Sequence, residues 1–167
     1  MVERSQSFLA QNVKTAMLQE RLSYRGMSKR TGADSVQIYR VAESKTVDPG
    51  IEVAAKLLIH FGKVRAYEIL LDTVSAEIPL FTADNFIAQG NVGAQLRQYR
   101  ERRKMSARDV EENYGVGWRD VLRLERNERM PRIRTVATLV EAYGLNVDQT
   151  FNLLQAAALG RIKKHRP

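Results

Sequence analysis

Apolar positions along the chain recur every three or four residues in short stretches separated by glycine, proline and small polar residues. This is the pattern of short amphipathic helices. One stripe, Ile133, Val136, Ala137, Val140 and Tyr143, puts five apolar side chains on one helical face, and Gly144 closes it. Upstream, a helix is predicted from about Val92 to Lys104. A second follows Ser106, an N-cap with Asp109 placed three residues on as its capping-box partner. Gly115 ends that helix, because the turn needs a residue that tolerates positive φ. A third runs roughly from Trp118 to Arg126 and stops before Pro131, and Val147 to Leu159 supplies a fifth.

The first half repeats this plan. At a period of 83 residues, Leu22-Ser23 matches Met105-Ser106, Met27 matches Val110, Gly32 matches Gly115, Ile38 matches Val121 and Val41 matches Leu124. After the third helix the period shortens to 82, pairing Pro49 with Pro131, Ile51 with Ile133, Leu57 with Leu139 and Gly62 with Gly144. The fourth-helix stripe here is Ile51, Ala54, Ala55, Leu58 and Phe61. The predicted organisation is an all-α chain of two tandem domains, residues 1–72 and 91–160, with about five short helices each. A linker over 73–90 contains Glu77-Ile78-Pro79-Leu80-Phe81, apolar but broken by proline, and is expected to be extended and partly docked. Residues 161–167 form a basic tail.

The run Leu96-Arg97-Gln98-Tyr99-Arg100-Glu101, then Met105-Ser106, Gly115-Val116, Val121, Leu124-Glu125-Arg126 and Pro131, resembles the Cro/lambda-repressor-like (XRE) helix-turn-helix family. The first half resembles it more weakly, through Leu22-Ser23, Gly32-Ala33, Ile38, Val41 and Pro49. The resemblance implies two lambda-repressor-like domains that bind double-stranded DNA. It also implies an ion pair between Arg100 and Glu125 that ties the first helix to the third. The matching first-half positions, Met17 and Ala42, are both apolar, as expected if packing replaces the pair there. One position departs from the family: Glu111 stands where alanine is usual, at the close approach of helices two and three.

In this arrangement Val110, Tyr114, Val116, Val121 and Leu124 face inward and fix the angle of the third helix. Its leading face, Trp118, Arg119, Asp120 and Arg123, is then free to enter a major groove, where arginine bridges guanine O6 and N7. Ser106 to Arg108 offers backbone N–H groups and a cation to phosphate. Duller readings exist for two of these residues, Trp118 as a lid on the core and Asp120 as a helix N-terminal charge. In the first half Ser35, Val36, Gln37 and Arg40 occupy the equivalent face behind the N-cap Asp34, with Tyr24 and Arg25 at the phosphate-contacting position.

Charge sharpens the contrast. Residues 1–90 carry 11 basic and 10 acidic side chains, whereas 91–167 carry 16 and 9, within a total net charge of +8. The second half is therefore the stronger candidate for phosphate contact. Two function classes follow: a sequence-specific transcriptional regulator, acting as one chain on two half-sites or as a homodimer presenting four, and an interaction protein (an antitoxin, antiactivator or partner-recruiting subunit) in which one repeat, the first being the better candidate, binds another protein instead of DNA. An enzyme is not expected. His60 and His165 have no second metal ligand at useful spacing, Gly90-Asn-Val-Gly93 lacks the Lys-Ser/Thr of a phosphate loop, and the adjacent Glu111 and Glu112 diverge around a helix. No cofactor is implied. The chain has no cysteine, and its most apolar stretch, Val53 to Phe61, is broken by Lys56 and His60 and falls far below the ~20 residues of a membrane span. With no signal peptide read at the N-terminus, a cytoplasmic, nucleoid-associated protein is expected.

Overall fold

Short helical stretches make up the architecture of the described residues. The computed structural model describes residues 8–46, 48–73 and 86–160, and ten helices follow one another there, with no named strand among the described residues. The first half contains α1 (Phe8–Gln19), α2 (Tyr24–Thr31), α3 (Ser35–Ala42), α4 (Ile51–His60) and α5 (Lys63–Asp72). The second contains α6 (Val92–Arg102), α7 (Ala107–Tyr114), α8 (Trp118–Glu125), α9 (Ile133–Tyr143) and α10 (Val147–Ala158). The Glu77–Phe81 run and the basic tail lie outside the described residues.

Local chemistry sets the helix ends. Ser23 accepts a hydrogen bond from Gly26 N, and Ser106 forms a reciprocal capping box with Asp109. Gly32 and Gly115 sit at φ +71° and +72° and return their N–H groups to Ser28 O and Glu111 O, a left-handed corner that a β-carbon would strain. Asp34 caps α3 by accepting from Val36 N and Gln37 N, whereas Gly117 precedes α8 without a side-chain cap. The bounds of α2 and α7, and of α3 and α8, lie 83 residues apart. So do two left-handed pairs of non-glycine residues, Arg21 with Lys104 and Ser44 with Asn127.

Three local expectations need correction. The helix expected to run to Lys104 ends at Arg102, because Lys104 is left-handed (φ +55°) and cannot continue a right-handed helix. Tyr114 does not face inward: it is the last residue of α7, the chain turns away at Gly115, and its ring is exposed beside the cleft that Pro131 also lines. Phe61 caps α4 and is only half-buried.

One continuous hydrophobic cluster runs through both halves. Across the boundary α4 packs on α10, α9 on α5, and α5 on α10. The buried Tyr67 hydroxyl donates to Leu145 O at 2.9 Å, and burial raises its pKa above the ordinary phenol value. At the junction, Ile51 N donates to Pro131 O (2.9 Å) and Ile133 N donates to Pro49 O (3.0 Å), forming an isolated antiparallel bridge between Gly50 and Arg132. Residues 86–90 are docked on the second half. Gln149 Nε2 donates to Phe86 O, Asn152 Nδ2 to Ala88 O, and Ala88 N to the Tyr99 hydroxyl.

Candidate nucleic-acid interface

The position of α8 is fixed from behind. Val121, Leu124 and Glu125 are its buried residues, and Val110 anchors α7 in the same core. Arg100, on α6, grips the far end of α8 with two parallel hydrogen bonds to Glu125: Nε to Oε1 at 2.6 Å and Nη2 to Oε2 at 2.9 Å. Its Nη1 donates to Met105 O at 2.7 Å. The two side chains are only 12% and 4% exposed, so this is a largely desolvated bidentate pair rather than a surface contact. Hydrogen bonding to Glu125 raises the guanidinium pKa further, while burial of the neighbouring Tyr143 hydroxyl, reinforced by the Glu125 charge, pushes that phenol up. In the first half Ala42 is fully buried and Met17 packs partly buried against the same cluster.

The outward face of α8 is cationic and aromatic. Arg119 and Arg123 are exposed, and Trp118 is half-buried. The Arg119 and Arg108 guanidinium carbons lie 5.2 and 6.0 Å from the Trp118 ring centroid, within cation–π range. These contacts gather the start of α7 and the start of α8 into one basic patch. Asp120 is not free on that patch: Arg129 Nη1 reaches its Oδ1 at 3.1 Å. Ser106 is committed to its cap, and the backbone N–H of Ser106 holds Asp109 below its ordinary carboxyl pKa. Glu111 is exposed and leans over the α7–α8 turn, its Oε1 3.7 Å from where a β-carbon on Gly117 would stand. The turn therefore accommodates the glutamate in solvent.

The first-half face has a different chemistry. Val36 is 53% exposed, Gln37, Arg40 and Arg25 are exposed, and Ser35 is half-buried. Tyr24 packs edge-on against Tyr39 with centroids 5.4 Å apart, and its hydroxyl donates to Glu43 at 2.7 Å. That hydrogen bond raises the Tyr24 pKa to about 12 and, with Lys14, lowers that of Glu43. Tyr24 is thus occupied by a carboxylate at the position considered for phosphate contact. Residue-by-residue reading missed Glu43, and also Arg126, which is exposed 83 residues later. Extending the repeat past the third helix pairs the two and exposes a reversal of charge.

A family of helix-turn-helix domains matches residues 91–153. The match begins at the N-cap of α6 and ends within α10. No curated protein and no solved structure matches the chain. No helix among the described residues is long and apolar enough to cross a membrane.

Proposed function

We propose that this chain is a sequence-specific, double-stranded DNA-binding regulator of the XRE kind that inserts the leading face of α8 into a major groove. One observation carries the reading. Arg119 and Arg123 lie one turn apart on the solvent face of a helix whose other face is locked into the core, and Arg119 and Arg108 both flank Trp118. Such a helix offers guanidinium forks to guanine edges, while Arg108 and the start of α7 meet phosphate. Its test is selection of binding sites from random duplexes, followed by titration of variants. Arg119→Ala and Arg123→Ala should each weaken the selected site by about 1–3 kcal/mol and relax one base position, whereas Arg108→Ala should weaken all sequences alike and reduce the salt slope by about 1. Unchanged affinity in all three variants would defeat the reading.

A second reading concerns the first half alone. Val36 and Tyr39 are exposed apolar or aromatic side chains on α3, and Glu43 places a carboxylate beside them. Those features favour a protein partner over phosphate. In that case Val36→Asp abolishes capture of the partner while DNA affinity, held by α8 alone, is unchanged, whereas a loss of DNA affinity in this variant puts α3 on DNA and overturns the second reading.

A further inference from the structure

We infer that a single chain is a built-in pair of DNA readers and occupies one non-palindromic operator, with α8 on a half read by two arginines and α3 on a half in which Gln37 and Val36 add adenine and thymine to the base that Arg40 meets. The inference rests on the DNA reading above and adds stoichiometry, symmetry and base class to it.

The junction between the halves supplies the geometry. Pro49-Gly50-Ile51 and Pro131-Arg132-Ile133 are equivalent in the repeat, and they exchange a reciprocal pair of backbone hydrogen bonds, Ile51 N to Pro131 O and Ile133 N to Pro49 O. An antiparallel exchange between equivalent residues is the local form of an isologous, two-fold contact. The surrounding helices pair in the same reciprocal sense, α4 with α10 and α9 with α5, the first contact being the more extensive. α3 and α8 have equal bounds in the repeat and each precedes the bridge by a short loop, and we take the same operation to relate them.

A duplex has local dyads perpendicular to its axis, and two recognition helices related by a two-fold meet half-sites about 10–10.5 base pairs apart. The contact between the halves is part of one continuous core with a buried Tyr67–Leu145 hydrogen bond. No second copy of the chain is needed to hold the two readers.

The two readers differ in chemistry. Where α8 carries Arg119 and Arg123, α3 carries Val36 and Arg40; where α8 has Asp120, held by Arg129, α3 has the exposed Gln37. Glutamine pairs with adenine N6 and N7, and an aliphatic group packs on the thymine methyl. The near-neutral first half, with 11 basic and 10 acidic side chains against 16 and 9 in the second, is the weaker phosphate binder. The second half anchors, and the first adds sequence.

The experiment uses the full chain. Random duplexes are selected, and sedimentation velocity on the enriched, labelled duplex counts the chains bound. The expected result is a bipartite, non-palindromic motif with one chain per duplex. Gln37→Ala should lower affinity on the order of tenfold and relax only the adenine-containing half, as Arg123→Ala should for the half read by α8. Inserting about five base pairs between the halves turns one to the opposite side of the duplex and should reduce binding to that of a single half. Circular dichroism confirms that these exposed substitutions leave the helices intact. A palindrome occupied by two chains, or a single half-site indifferent to Gln37→Ala, would overturn the inference and leave DNA binding standing. Failure to enrich any sequence would sink the DNA reading itself, and this inference with it.

Discussion

Removing either member of the Arg100–Glu125 pair should cost more than removing both, and removing Arg100 should cost the most. Arg100→Met leaves the Glu125 carboxylate, 4% exposed, without its two guanidinium hydrogen bonds. Stranding a buried charge in this way costs about 3–5 kcal/mol. Glu125→Ala leaves Arg100 with only Met105 O, and since 12% of that side chain already reaches solvent the penalty falls to about 2–3 kcal/mol by partial resolvation. The double variant adopts the apolar pair of the first half, Met17 and Ala42, and loses chiefly the hydrogen bond to Met105 O, about 1–2 kcal/mol. The coupling energy is then about 5 kcal/mol, the sum of the single losses less that of the double variant. Urea unfolding at neutral pH, monitored by far-ultraviolet circular dichroism for the four chains of the cycle, measures it. Single-variant losses that add to within about 0.5 kcal/mol would refute the reasoning, because contacts that share no energy add.

Gly93→Ala should destabilise the protein by about 1–3 kcal/mol or more, since its β-carbon would stand 2.5 Å from Leu124 O and 2.6 Å from Glu125 O; a thermal melt checks this, and DNA affinity should fall as α8 is displaced. The Asp109 carboxyl has its folded pKa lowered by the Ser106 N–H, so its stabilisation is present above the ordinary carboxylate pKa and lost as pH falls through the depressed value. Asp109→Asn should therefore flatten the acid limb of a stability-against-pH curve, and an unchanged limb would refute the assignment. Tyr67→Phe leaves Leu145 O unpaired in the core between the halves and should cost about 1–3 kcal/mol, read as a lower urea midpoint with the transition still single.

Much of the second half was legible because its signals are local. Ser106, Asp109, Gly115 and Gly144 dictate helix ends through their own backbone chemistry, and the α9 stripe needs only helical spacing to declare its buried face. The leading face of α8 follows from the same periodicity, since Arg119 and Arg123 fall opposite Val121 and Leu124. What was not legible depends on tertiary partners. Asp120 reads as a free acid until Arg129 is found beside it, and Tyr24 as a phosphate ligand until Glu43 takes its hydroxyl. Tyr114 fits the inward period of α7, but its side chain lies at the helix end, where the turn removes the wall it would pack against. The bridge joining Gly50 to Arg132 carries no sequence signal beyond two equivalent prolines, because backbone hydrogen bonds do not depend on side-chain type.

The central claim is that α8 lies in a major groove, and a tethered cleavage reagent tests it directly. The chain contains no cysteine, so Arg126→Cys and Leu159→Cys each create a unique attachment point, the first at the end of α8 and the second on an 88% exposed residue just past α10. On the selected duplex, the reagent at position 126 should cut within a few base pairs of the half read by α8 with the offset typical of major-groove attack, and the reagent at 159 should cut weakly or not at all. Equal cleavage from both positions, or none from 126 on a duplex that is demonstrably bound, would contradict the account.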